Sequence, residues 1–320
     1  MRRKMLSKDT LREIRRSLGR YLSILAITAV GAAFFAGIRV TGPDMKLTAD
    51  RYFDSSRLMD IHLLSTTGFT KSDVGTLRQQ SGLLGAMPCY MLDALLPQGR
   101  ESLVVKVMSL PSDQSGENDI NRPLLLSGRL PQKSGECAIE LNKFISSGVK
   151  IGSRITLSSG TDTPITDSLK TKSFVITGIV DSPYYISEQR GSSTIGNGTI
   201  RGFMVVCESD FKLPAYTDVF VTAKGALAKT AYTSGYDDLV SSVSKSLESF
   251  GKVRAAARTA QLKADATAQL DKGQSQYDSE ASEANRALST ARSKLDVAKT
   301  QLAAGRSQLA AQQRQTAAQL

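Results

Sequence analysis

The chain has 320 residues, 41 % of them hydrophobic, and a formal net charge of +11, a length that allows one or two domains. Residues 1–40 carry nine Lys or Arg against two acids, residues 41–253 carry 22 of each, and residues 254–320 carry ten basic and six acidic residues. The excess charge therefore lies beside an apolar run and not on a folded face with aromatics to stack bases, which argues against nucleic acid as a partner.

Residues 1–20 form a basic segment that includes Arg2, Arg3, Lys4, Lys8, Arg12, Arg15, Arg16 and Arg20. Leu6, Leu11, Ile14, Leu18 and Tyr21 fall near one helical face, so an amphipathic helix on an anionic inner leaflet is expected. Residues 21–40 follow as a transmembrane helix. The run YLSILAITAVGAAFFAGI between Arg20 and Arg39 is uncharged and reaches the lower end of the length that crosses ~30 Å of hydrocarbon. The preceding Lys and Arg place the N-terminus in the cytoplasm and the bulk of the chain outside. A cleaved signal peptide, the rival reading, would have a shorter apolar core.

Residues 41–253 read as an α+β domain outside the membrane. Strands are expected at Met59–Ser65, Cys89–Leu96, Leu103–Leu110, Ser173–Asp181, Gly202–Cys207 and Thr217–Ala223. Helices are expected at Ser72–Gln80, capped by Ser72, and at Asp237–Phe250, where Leu239, Val243, Leu247 and Phe250 recur at helical spacing. The run Gly191–Gly198 lacks the lysine of a phosphate-binding loop and reads as a surface loop.

The composition changes from Arg254. Eighteen of the last 67 residues are Ala, and no Pro occurs after Pro214. Leu288, Leu295, Leu302 and Leu309 recur every seven residues, with Ala291, Ala298 and Gly305 three positions on. That is a coiled-coil seam whose small positions permit close helix approach, so residues 254–320 read as a coiled-coil helical arm.

Chemistry-bearing motifs are scarce. The sequence has no GxxxxGK[ST], GxSxG or HExxH, patterns that would mark phosphate binding, acyl transfer or zinc hydrolysis. Zinc needs clustered N or S ligands, whereas His62 is the one histidine and Cys89, Cys137 and Cys207 form no CxxC pair. His62 reads as a packed core residue, and the cysteines as small buried hydrophobes in preference to a disulfide plus an orphan. No catalytic, cofactor-binding or metal residue is expected, and no cofactor.

Three segments together carry a resemblance. Leu126–Glu140 (LSGRLPQKSGECAIE), Ile151–Leu157 (IGSRITL) and Phe174–Val180 (FVITGIV) resemble, in order and spacing, the extracytoplasmic core domain of FtsX-like and MacB-like ABC transporter permeases. Gly128, Pro131 and Gly135 punctuate a loop ahead of a short strand at Cys137–Leu141, positions suited to turns and packing. The resemblance implies a permease subunit in the cell membrane, or its N-terminal portion, since such permeases carry further transmembrane helices and no comparable apolar run follows residue 40. It also implies three kinds of partner: a separate cytoplasmic ABC ATPase, the remaining permease helices or a second permease copy, and the lipid bilayer. The chain itself would not be an enzyme. The alternative is a single-span membrane adaptor with a helical arm, which predicts a compact β-barrel where the permease reading predicts α+β.

Overall fold

The computed structural model describes residues 2–99, 101–111, 116–145 and 149–318. The side chains of Arg2, Arg3, Lys4 and Leu6 lie outside the described residues. The fold is α+β with one N-terminal apolar helix and one long C-terminal helix. It divides into two compact units, Met1–Arg254 and Ala255–Leu320.

Helix α1 (Arg2–Arg16) ends at Ser17, whose hydroxyl turns back to the Glu13 carbonyl at 2.8 Å. Helix α2 (Leu18–Ser56) then runs unbroken for 39 residues, well beyond the apolar run. It is long and apolar enough to cross a membrane. Its large apolar side chains are exposed from Leu18 to Val40, Ile27 by 72 % and Phe34 by 71 %. An apolar surface of that extent needs a non-aqueous neighbour. Residues 41–56 prolong the same helix by about 24 Å, with Pro43 inside it.

Strand β1 (Ile61–Phe69), helix α3 (Lys71–Arg78) and strand β2 (Leu83–Cys89) make a split β-α-β unit. Between β1 and β2 lies β10 (Tyr216–Ala223), antiparallel to both. Thr70, not Ser72, caps α3. The Thr70 hydroxyl accepts from the Asp73 amide, and the Asp73 carboxylate accepts from the Thr70 amide at 2.8 Å. Such a reciprocal box outcompetes a lone serine two residues later.

The larger sheet has the order β3 (Met91–Gln98), β4 (Glu101–Leu110), β9 (Ile200–Cys207), β6 (Glu136–Ile139), β8 (Ser173–Asp181) and β5 (Leu124–Gly128). The short β7 (Arg154–Thr156) also pairs with β8. Pairs β4–β9 and β6–β8 are parallel and the rest antiparallel, so the sheet is mixed. Its two ends are different strands and it does not close into a barrel.

Three apolar layers hold the sheets. Phe174, Ile176, Ile139 and Met204 fill one face of the larger sheet. Phe203, Met108, Met87 and Phe220 fill the space where the two sheets meet. Val219 and Val221 of the smaller sheet pack on Val74 and Leu77 of α3 and on Val243 and Leu247 of helix α4 (Ser234–Ala318). The expected stripe Leu239–Val243–Leu247–Phe250 is thus the face by which α4 roots itself in the first unit.

The second unit, by itself, is helix. Leu288, Leu295, Leu302 and Leu309 are 51 to 59 % exposed along it. Its described residues would extend about 100 Å at 1.5 Å each.

Candidate functional site: the joint at the end of α2

Asp50, Phe53, Asp54 and Arg57 repeat at i, i+3, i+4 and i+7, so helix geometry puts them on one face. That face meets the β domain. The Asp50 carboxylate accepts the Ala231 amide at 2.6 Å, and Phe53 packs on Tyr232 with ring centroids 6.1 Å apart. The helix stops at Arg57, which takes a left-handed conformation with φ 48° and donates its amide to Asp54. The Arg57 guanidinium donates to the Gly116 carbonyl.

The carbonyls freed at the helix end have defined partners. Ser56 accepts from the Arg122 amide at 3.0 Å, and Arg57 accepts from the Asn121 amide at 2.8 Å. The Asn121 side-chain oxygen accepts from the Met59 amide at 2.9 Å. Asn121 is itself left-handed, φ 54°, a conformation asparagine tolerates. Beside it Arg122 grips Asp119 at 2.6 Å. Helix termini leave several backbone groups unpaired; here loop 116–122 supplies the partners for the last turn.

Asp60 is the hub. One carboxylate oxygen accepts the Ala223 amide at 2.7 Å, at the end of β10. The other accepts the Tyr236 hydroxyl at 2.6 Å, in the first turn of α4. Burial raises the pKa of Asp60 above the usual carboxylate range, against the pull of those two donors. Asp54 is raised by burial and then by the like charges of Asp50 and Asp60. These carboxylates line one side of a cavity of about 340 Å³ whose apolar side is Phe53, Leu58, Met59, Leu84 and Ile120. Ile120, 1 % exposed, also lines a second cavity of about 210 Å³ with Met87, Met108 and Phe220. The segment that follows α2, strand β10 and the root of α4 thus meet at one half-buried carboxylate, and this meeting point is called the joint below.

The residues of the Leu126–Glu140 motif serve packing. Gly128 (φ 76°) lies so close to β8 that a Cβ would stand 2.3 Å from the Thr177 carbonyl, and a Cβ on Gly178 would stand 2.4 Å from the Arg129 carbonyl. Arg129 then turns across the loop and holds Glu136 in a bidentate pair, 2.7 and 2.6 Å. The Gln132 amide adds a third donor at 3.0 Å. The Arg129 guanidinium is the main reason the Glu136 carboxyl is held down to about 2. Asp210, fully buried, accepts from the Gly135 amide at 3.1 Å and from the Ser134 hydroxyl. Pro131 is buried and Gly135 has φ 82°.

His62 lies in β1, its ring 4.9 Å from Phe220, with Nε2 2.7 Å from Asp218. The neighbouring Thr217 hydroxyl bonds the same Asp218. All three cysteines are free thiols: Cys89 and Cys137 are buried, Cys207 half-buried. Among the described residues no group of three or more His, Cys, Asp or Glu is placed to hold a metal ion.

The residues at the joint, Asp50, Asp60, Asn121 and Tyr236, were not singled out by the sequence. The one signal available was the i, i+3, i+4, i+7 spacing of Asp50, Phe53, Asp54 and Arg57, which marks a helix face continuing past the apolar run.

No family model and no curated protein matches the chain. Among solved structures it is similar to the extracellular domain of the noncanonic ABC-type transporter YknZ from Gram-positive bacteria, at 13 % identity over 52 % of this chain and 82 % of that one, TM-score 0.33. It is also similar to the periplasmic region of MacB from Actinobacillus actinomycetemcomitans, at 14 % identity over 58 % of this chain and 75 % of that one, TM-score 0.31. Its structural neighbours are extracytoplasmic domains of FtsX/MacB-like ABC transporter permeases.

Proposed function

We propose that the chain is a permease-type membrane subunit that transmits movement from the cytoplasmic side to a domain outside the cell membrane. The observation that carries this reading is α2: one helix of 39 residues enters as an apolar, exposed rod and ends pinned against the β domain. A flexible tether would suffice to anchor a domain. A continuous helix, with its end carbonyls and carboxylates bonded to loop 116–122, β10 and α4, is suited to carrying displacement. In this reading a separate ATPase binds and hydrolyses ATP in the cytoplasm, and the basic α1 lies on the inner leaflet. Further permease helices or a second permease copy complete the membrane part. The chain supplies no catalytic residue of its own. The open, mixed sheets favour this over the single-span adaptor, for which a closed barrel is expected.

The test is hydrogen exchange on the chain reconstituted in nanodiscs with a candidate ABC ATPase from the same cell. On ATP addition, exchange should change in segments 50–60 and 116–122. Inserting Gly-Gly-Ser-Gly after Leu47 should leave the chain in the membrane and abolish that change. An ATPase that neither binds nor alters exchange at the joint overturns the proposal.

A further inference from the structure

The second unit presents an apolar face along a single helix. Carried through the whole unit, the Leu288 register places Gln274, Ala281, Leu288, Leu295, Leu302 and Leu309 at one seam position, a. Leu270, Tyr277, Ala284, Ala291, Ala298 and Gly305 then occupy the other, d. The pattern spans about six heptads, more than the three or four that mark a coiled coil. All four seam leucines, with Leu270 and Tyr277, are at least half exposed.

We propose that this face binds the same face of a second copy of the chain, running antiparallel, with Leu288 of one copy against Ala291 of the other. Two independent properties of the sequence select this arrangement. The first is size. In antiparallel pairing each a residue faces a d residue. The stated register sets Leu295 against Ala284, Leu302 against Tyr277, Leu309 against Leu270, Ala281 against Ala298 and Gln274 against Gly305. Leu288 and Leu295 thus meet alanines, Leu302 meets Tyr277 and Leu309 meets Leu270, so four of the six distinct layers contain a leucine. A parallel, in-register pair would instead alternate Leu–Leu layers with Ala–Ala and Gly–Gly layers and leave voids at the latter.

The second is charge. Antiparallel helices bring the e positions, one residue after each d, opposite one another. In this register Asp271 faces Arg306, Asp278 faces Lys299 and Asn285 faces Arg292 of the second copy. Along these e positions the acids, Asp271 and Asp278, come before the bases, Arg292, Lys299 and Arg306, so the face complements itself only when reversed. Parallel pairing would put Lys294 opposite Lys299, a like-charge contact that selects against it. Within one helix these groups have only weak local neighbours: Lys299 is 3.8 Å from Asp296, and Asp278 accepts from Gln274 at 2.9 Å.

The test uses the whole chain in detergent micelles, with Cys207→Ser so that only buried native thiols remain. Preparations of Q274C and of G305C, differently tagged, are mixed and mildly oxidised. Covalent dimers carrying both tags should exceed same-tag dimers about tenfold. Dimers formed by Q274C alone would indicate parallel pairing and overturn the proposal, as would the absence of cross-linked product. Separately, D278K and K299D should each weaken dimerisation in sedimentation several-fold, and D278K/K299D should restore it. A double variant no better than the singles refutes the register.

Discussion

Arg129→Ala tests whether the Gly128–Glu140 loop is a structural clasp. Glu136 has a side chain only 7 % exposed, and Arg129 supplies two of its three closest donors. A hydrogen bond to a charged group contributes about 1.5–3 kcal/mol, and an orphaned buried charge costs more. Arg129 itself is 46 % exposed, so solvent screens the pair and keeps the loss in R129A toward the low end of that range. Arg129→Lys keeps the charge but not the fork, and should lose about half as much. The pH dependence gives a second readout. The Glu136 carboxyl is held at about 2 against an ordinary 4.5. Its contribution is therefore fully present above 4.5 and is lost as pH falls through 2. R129A should flatten the stability profile across that window. Urea denaturation in micelles, followed by near-ultraviolet dichroism of the nine tyrosines, measures both. A loss under about 0.5 kcal/mol at pH 7, within the range of an ordinary surface change, refutes the clasp, as does an unchanged acid slope.

Gly178→Ala forces a methyl to within 2.4 Å of the Arg129 carbonyl and should cost about 1–3 kcal/mol as overpacking; wild-type stability in the same urea titration would refute the close approach. Burial pushes the Cys89 and Cys137 thiols up to about 12, so at pH 8 iodoacetamide should label half-buried Cys207 first and the other two only on unfolding. Mass spectrometry of the labelled peptides decides it, and equal rates would contradict the burial. A reporter fused after residue 60 should be active only outside the cytoplasm, and changing Arg15, Arg16 and Arg20 to Glu should weaken or invert insertion; cytoplasmic activity of the unaltered fusion overturns the orientation.

The strands that alternate were legible, because side-chain period is what sheet burial selects. Ser173–Asp181 is the clearest case: its expected span and β8 coincide. The spans at 103–110, 202–207 and 217–223 fall within β4, β9 and β10. Strand β2, LLGAMPC, was not legible: Gly85 and Pro88 break the β signature, and the segment is a strand because β10 pairs along it. Gly85 is required there, since a Cβ would stand 2.0 Å from the Glu117 carbonyl. The end of α2 was also hidden. Hydropathy falls after Val40 and Pro43 reads as a stop, yet the helix runs on to Ser56 because Asp50, Phe53 and Arg57 find partners far away in sequence. The motif at 126–140 stood out as a pattern, but the Arg129–Glu136 pair inside it forms across a loop that no periodicity marks.

The same distinction explains why the joint, and not the motif, is the place to look for function. The motif's bonds stay local, Arg129 with Glu136 and Asp210 with Ser134 and Gly135, and a clasp of that kind resists motion. The joint is satisfied across elements that are far apart in the chain. Asp60 is bonded to β10 on one oxygen and to α4 on the other, and Asp50, within the last two turns of α2, is bonded to the loop that leads into α4. Moving α2 along or about its axis must therefore either break those bonds or carry β10 and the root of α4 with it. Breaking them would strand Asp60, whose pKa is already raised by burial, without its two donors. Carrying them is the less costly response, because the cavity beside Asp54 and Phe53 leaves room for side chains to shift. Pro43 cannot donate to the helix ladder, yet α2 runs through it without a break, so the segment from Asp50 to Ser56 is expected to move with the apolar run.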